Sequence, residues 1–253
     1  MFSYKRSVLP AASIAVLVLI SVEGCPIRPK APEGPATSAV GASPPPRGSV
    51  RPSGHEGRPY DIDSRASLLT ILAFRGGALA KAGHNHVIAS HDLSGTFYVP
   101  EDVSRASFEV HVPVQQLSID EPELRAREGA DFPTDVPQSA KDGTRHNMLS
   151  EALLNGDQYP EILLVSQSLV PGSSGAAMQA QVQMTVRGQA HTINVPVTYT
   201  LAGGELVASG EMVLKQTDLG LTPFSAMLGA LQVQDEMKIR FRMVAREAKT
   251  RGP

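Results

Sequence analysis

Between residues 60 and 248 apolar and polar side chains alternate with a period of two, which restricts this part of the chain to strands that bury one face. In the clearest run, Met178, Ala180, Val182, Met184 and Val186 are set against Gln179, Gln181, Gln183, Thr185 and Arg187. Ile193, Val195, Val197, Tyr199 and Leu201 repeat the pattern, as do Met237, Ile239, Phe241 and Met243 against Lys238, Arg240 and Arg242. Phe108, Val110 and Val112 do the same with Glu109 and His111 turned away. Adding 67–75, 92–100, 161–170 and 205–216 brings the expected count to about eight strands. Turn residues such as Arg187-Gly188-Gln189 and Ala202-Gly203-Gly204 separate neighbours by short links, so the pairing is antiparallel.

One interval breaks the alternation. Between Leu117 and Pro160 the apolar residues Met148, Leu149, Leu153 and Leu154 recur at helical spacing, which predicts one short helix over 144–154, with Thr144 or Asp142 as N-cap and Gly156 just past the end. The expected fold class is all-β: an eight-stranded antiparallel barrel with one short helix in an excursion. Closure removes the edges that an open antiparallel sheet of that size exposes. A barrel of about eight strands has room for side chains or one small ligand. If the apolar parity faces inward, Phe97, Phe108, Val110, Met184, Tyr199, Met212, Phe224 and Phe241 line that interior, and the unbranched methionines adapt to an irregular guest.

The chain before residue 58 has a different character. Lys5 and Arg6 precede an apolar run from Val8 to Ile20, and Gly24 stands directly before Cys25, the order of an export signal. The run is shorter than the roughly 20 apolar residues a membrane-spanning helix needs. Residues 25–57 are rich in Pro, Gly, Ser and Ala and predict a tether, 58–248 a single domain, and 249–253 a disordered tail. Cys25 is the only cysteine in 253 residues, which excludes an intrachain disulfide and a multi-cysteine zinc site. A formal charge of −2 favours no nucleic-acid partner.

Two resemblances follow from these residues. Val22-Glu23-Gly24-Cys25 resembles the lipobox of bacterial lipoproteins, which implies that Cys25 is lipidated and that the protein is exported to the periplasm or cell surface and membrane-anchored. Within the domain the order of motifs is more specific. Gly95-Thr96-Phe97 is followed by Phe108-Glu109-Val110, Leu117-Ser118-Ile119-Asp120 and Met148-Leu149. Then come Tyr159-Pro160-Glu161-Ile162, Thr185-Val186-Arg187-Gly188 with His191, Gln216-Thr217-Asp218-Leu219-Gly220-Leu221 and Asp235-Glu236. This series resembles the YceI-like family. The resemblance implies a lipocalin-like barrel whose elongated apolar cavity binds a polyisoprenoid or fatty-acyl lipid, with no catalytic residues and no cofactor; a homodimer is left open.

A second class of function rests on His84 and His86. Two apart on a strand, they share a face and offer two imidazoles to a metal, with Asp92, His111 and His146 as completing ligands, so a metal- or haem-associated protein is the alternative. Hydrolytic chemistry has less behind it. No Gly-x-Ser-x-Gly elbow is present, and adjacent carboxylates such as Asp120-Glu121 are expected at solvated turns. The Lys238, Arg240 and Arg242 stripe is expected on an exposed face.

Overall fold

The computed structural model describes residues 55–172 and 177–248. The expected signal segment 1–24, Cys25, the tether up to residue 54 and the tail 249–253 lie outside the described residues. The strands are β1 (Arg58–Ile62), β2 (Leu68–Gly76), β3 (His86–Ser90), β4 (Ser94–Val99), β5 (Ser107–Pro113) and β6 (Ser118–Ile119). They continue with β7 (Glu161–Pro171), β8 (Ala177–Val186), β9 (Gln189–Ala202), β10 (Glu205–Lys215), β11 (Ser225–Ala226) and β12 (Leu231–Glu247). Two helices, α1 (Pro122–Ala126) and α2 (Gln138–Leu149), fall in the excursion between β6 and β7.

These pieces form a closed eight-strand antiparallel barrel. β1 and β2 are two halves of one strand, interrupted by a turn at Ser64–Ala66, and β3 and β4 are two halves of the next, since β2 pairs with β3 and β1 with β4. The order then follows the chain through β5, β7, β8, β9, β10 and β12. β12 returns to the start, pairing Ile239 with Ile71 of β2 and Ala245 with Ile62 of β1, which closes the ring. The alternation behind this is visible in β8, where Met178, Ala180, Val182, Met184 and Val186 are buried and Gln179 and Gln181 exposed. Its hairpin to β9 turns on Arg187 (φ 51°) and Gly188 (φ 71°), the two left-handed residues that match strand twist in a two-residue loop.

The barrel has two distinct ends. At one, the β4–β5 and β9–β10 links meet the end of β12. Tyr60, Phe97, Val99, Val110, Leu206 and Ala245 pack there into a filled cluster. The opposite end carries the β2–β3, β8–β9 and β10–β12 links and the excursion with α2.

Local departures from the sequence expectation have physical causes. α2 starts at Gln138 instead of the 142–144 region, because Pro137 occupies the cap position, where a missing N–H is harmless. Thr144 lies inside the helix and donates its hydroxyl to the Ala140 carbonyl (2.9 Å). Leu153 and Leu154 belong to the turns after the helix, where the Leu154 and Gly156 amides bond back to Met148 (3.1 Å) and Leu149 (3.0 Å). β3 breaks the alternation because Val87, Ile88, Ala89 and Ser90 are all buried. Its outer face is covered by Leu124 of α1 and Phe132, which join Leu72, Val87 and Ala89 in a third cluster. Residues 55–57, expected in the tether, dock on the barrel: the His55 ring stacks on Tyr98 at 4.2 Å and Glu56 pairs with Arg105. The stripe on β12 is paired on the outside, Lys238 and Arg240 with Glu211 (2.7 Å each) and Arg240 also with Glu128 (2.6 Å).

Candidate ligand cavity

The inward faces of the strands enclose a cavity of about 300 Å³. That lies at the lower end of the roughly 300–1,000 Å³ range of small-molecule pockets. Phe97, Phe108, Val110, Met184, Met212, Phe224 and Phe241 lie on its wall. Tyr199 does not. It has the inward parity but sits nearer the filled end, against the cluster that contains Tyr60 and Leu206. Phe97 and Val110 belong to that cluster as well and form the cavity floor, with the Phe97 and Phe108 rings 5.5 Å apart and tilted by 47°. Gly210 makes room for Phe241: a Cβ there would stand 2.7 Å from the phenyl ring and 2.2 Å from the Pro196 carbonyl oxygen. Any side chain at Gly210 would displace the ring.

The polar lining residues are Arg75, His84, His86, Thr144, Asn147, Gln216 and Gln232, and they collect at the end opposite the filled cluster. Hydrogen bonds connect Arg75, Thr144 and Gln216 of this set to neighbouring backbone. Arg75 Nη1 donates to Gly83 O (2.9 Å), and Gln216 Nε2 donates to Gln234 O (2.8 Å), whose side chain donates to Arg75 O (2.9 Å). The Gln216–Leu221 motif is thus a structural device. Thr217 donates through its amide (2.9 Å) and hydroxyl (2.7 Å) to Asp235, which lies where β12 shifts register, and Gly220 closes the turn at φ 66°. Leu219 and Leu221 are then buried on the cavity wall.

His84 and His86 both line the cavity, with ring centroids 6.3 Å apart. Both nitrogens of His86 are engaged, Nδ1 with Asp120 Oδ2 (2.6 Å) and Nε2 with Thr144 Oγ1 (3.2 Å). Of the residues considered as completing ligands, His111 is engaged elsewhere, with Glu109 (2.8 Å) and Glu161 (3.2 Å). Among the described residues no three His, Cys, Asp or Glu side chains converge as a metal site.

Asp120 departs most from expectation. Instead of a solvated turn residue it is fully buried, held at φ 56° by its amide to Val87 O (2.8 Å). It accepts the Val87 amide (2.8 Å) and His86, and it pairs with Arg125, which is also fully buried. Burial pushes its carboxyl up, but the hydrogen bonds from His86 and Val87 and the charges of His86 and Arg125 outweigh this and hold it below the ordinary value. Arg125 spends Nε on Pro133 O (2.6 Å) and Nη1 on Asn85 O (2.6 Å), with its guanidinium carbon 5.6 Å from the Phe132 ring centre. Sequence parity missed this group because α1 and its following loop, not a strand, bring Arg125 under the β3 edge. The signal available was Asp120 with a basic residue one helical turn beyond it.

A closed antiparallel barrel with an apolar interior and a polar rim at one end is an architecture with room for one small ligand. Residues 60–245 match the model of the YceI-like domain, and the chain belongs to that family. Among solved structures it is similar to Burkholderia cenocepacia BcnA, at 16% identity and a TM-score of 0.54, over 73% of this chain and 99% of that one. It is also similar to a polyisoprenoid-binding domain from Saccharophagus degradans implicated in plant cell wall breakdown, at 12% identity and a TM-score of 0.49, over 75% of this chain and 98% of that one. No match was found among curated proteins.

Proposed function

We propose that the barrel takes up one amphiphilic lipid, a polyisoprenoid or fatty-acyl chain, and binds or sequesters it without chemical change, as an exported protein anchored to a membrane through a lipid on Cys25. The observation that carries the binding is the division of the cavity into an apolar wall and a polar end. An apolar chain on that wall gains about 0.8 kcal/mol per buried methylene, roughly fourfold in affinity, so a chain of suitable length needs no specific contact along its body. The wall presents aliphatic and aromatic side chains from β2, β5, β7, β8, β9, β10 and β12, and the methionines Met184, Met212, Met237 and Met243 let it conform to a bent chain.

The test is native mass spectrometry of the purified protein with extraction of any bound lipid, followed by titration of delipidated protein with prenyl and acyl chains of increasing length. A bound lipid, or affinity that rises with chain length until the cavity is full, is the expected result. Absence of both rejects the proposal. Ala208→Phe places a ring into the cavity from β10 and should abolish uptake while the barrel still folds. For the anchor, radiolabelled palmitate should enter the protein in cells and not its Cys25→Ala variant; an unlabelled wild type removes the anchor from the proposal.

A further inference from the structure

Three ionisable side chains line the cavity, Arg75, His84 and His86, and the wall carries no Asp or Glu. The β2–β3 pairing aligns them. Ala73 stands opposite His86, so Arg75 and His84, one step further on the same inward face, continue the row toward the end of the hairpin. Asn85 ties this row together, accepting the Arg75 amide on Oδ1 (3.0 Å) and donating to Asp131 O (3.1 Å).

A charge count at this end of the barrel leaves a surplus. Asp120 and Arg125 are both fully buried and paired with each other, so their charges cancel. His86 stands between that pair and the cavity. At Nδ1 it meets the Asp120 carboxylate, which only accepts. At Nε2 it meets the Thr144 hydroxyl (3.2 Å), which also lies 2.9 Å from Ala140 O. Both ring nitrogens are therefore taken by protein partners. On the wall itself Arg75 carries a positive charge: it donates to Gly83 O and makes no ion pair among the described residues. Arg125 Nη2, one layer behind, is buried without a partner. Positive charge beside an apolar cavity costs free energy unless an anion meets it.

We infer that the polar end of the cavity recognises an anionic lipid headgroup, a phosphate or carboxylate, with Arg75 as its charged contact and His84 beside it. This rests on the lipid-binding proposal above and specifies which end of the lipid faces which end of the barrel. A phosphate or carboxylate accepts charge-assisted bonds from the guanidinium, whereas an alcohol brings no charge to meet it.

The experiment compares farnesyl phosphate, farnesol and inorganic phosphate on the delipidated full-length protein by calorimetric titration. The expected result is farnesyl phosphate bound at least about tenfold more tightly than farnesol, with inorganic phosphate far weaker than either. Arg75→Gln should bring the ratio of the two lipids close to one. Lys238→Gln, on the outer face, should leave the ratio intact. Equal affinity for the two lipids, or a preference that survives Arg75→Gln, overturns the headgroup assignment while leaving lipid binding standing. Inorganic phosphate binding as tightly as farnesyl phosphate reassigns the site to a free anion, and failure of both lipids to bind removes this inference together with the proposal beneath it.

Discussion

At one end of the barrel Tyr60, Leu206 and Ala245 meet Phe97 and Val110 and fill the space between the strands; at the other, His86, Asp120 and Arg125 stand where a core would otherwise continue. The two ends are held together by different terms. The filled end depends on apolar contact, whose loss is graded by the volume removed. The polar end depends on a buried ion pair and hydrogen bonds, whose loss is abrupt, because a partner left behind is an uncompensated charge. Each arrangement suits its place. Packing closes the floor of the cavity, while the charged cluster keeps the other end fixed in shape yet chemically able to meet a headgroup.

The largest effect that separates the two follows from Arg125→Met. Removing the guanidinium leaves Asp120 buried beside an empty position and should cost about 3–5 kcal/mol in urea unfolding. Adding Asp120→Asn to that variant should recover part of the loss, since the unpaired charge goes with it. A cost below about 1 kcal/mol for Arg125→Met would mean that the polar end contributes nothing structural, and the contrast would collapse. The filled end comes next. Leu206→Ala, at 5% exposure in the floor cluster, should cost about 3 kcal/mol, and Met212→Ala on the cavity wall about 1 kcal/mol, because a wall already facing a void gains little new empty volume. Equal losses at the two sites would show that the cavity collapses in solution.

How much of this was legible in the sequence differs between the same two regions. Parity along the strands predicts which side chains face inward, because the side-chain period of a strand is fixed. Seven of the eight residues selected by parity line the cavity. Tyr199 shows the limit: parity specifies a face and says nothing about height along the barrel, and Tyr199 lies toward the floor. β3 was invisible because both its faces are covered, which erases alternation, and the cover comes from Leu124 and Phe132, more than 30 positions further along the chain. The polar cluster was hidden for the same reason. Asp120 carries the local signature of a turn carboxylate, and only the folding of α1 over β2 and β3 buries it. The extent of α2 was misread where tertiary burial of Leu153 and Leu154 imitates helical spacing.

A smaller effect distinguishes the two ends by pH. The Asp120 carboxyl is held below its ordinary value in the folded state, so the native protein binds fewer protons there than the unfolded chain does. The stability this gives is complete above the ordinary value of 3.8 and is lost as pH falls through the lower folded value. Asp120→Asn should therefore flatten the acid limb of a stability-against-pH curve below about pH 4, and Leu206→Ala should shift that curve down without changing its slope. A Leu206→Ala curve with the altered slope would place the acid-sensitive group at the filled end instead.

The smallest expected change lies in the β11–β12 link, at the polar end. Leu228 has φ 55° and ψ 38°, a left-handed conformation in which its Cβ crowds the backbone, and its side chain is completely exposed, at 108%. Met227 beside it is also left-handed (φ 51°) and 69% exposed. At such a position no burial offsets the strain. Glycine relieves about 1 kcal/mol of backbone strain and loses part of that to the greater freedom it gives the unfolded chain, so Leu228→Gly should stabilise the protein by about 0.5 kcal/mol. The same replacement at Leu206 would remove packing with no strain to release and must destabilise. A gain at Leu228 would show that the polar end tolerates a locally unfavourable apolar residue; a loss there would show that the side chain has a partner in solution, and the two ends would then differ in chemistry but not in how fully their residues are used.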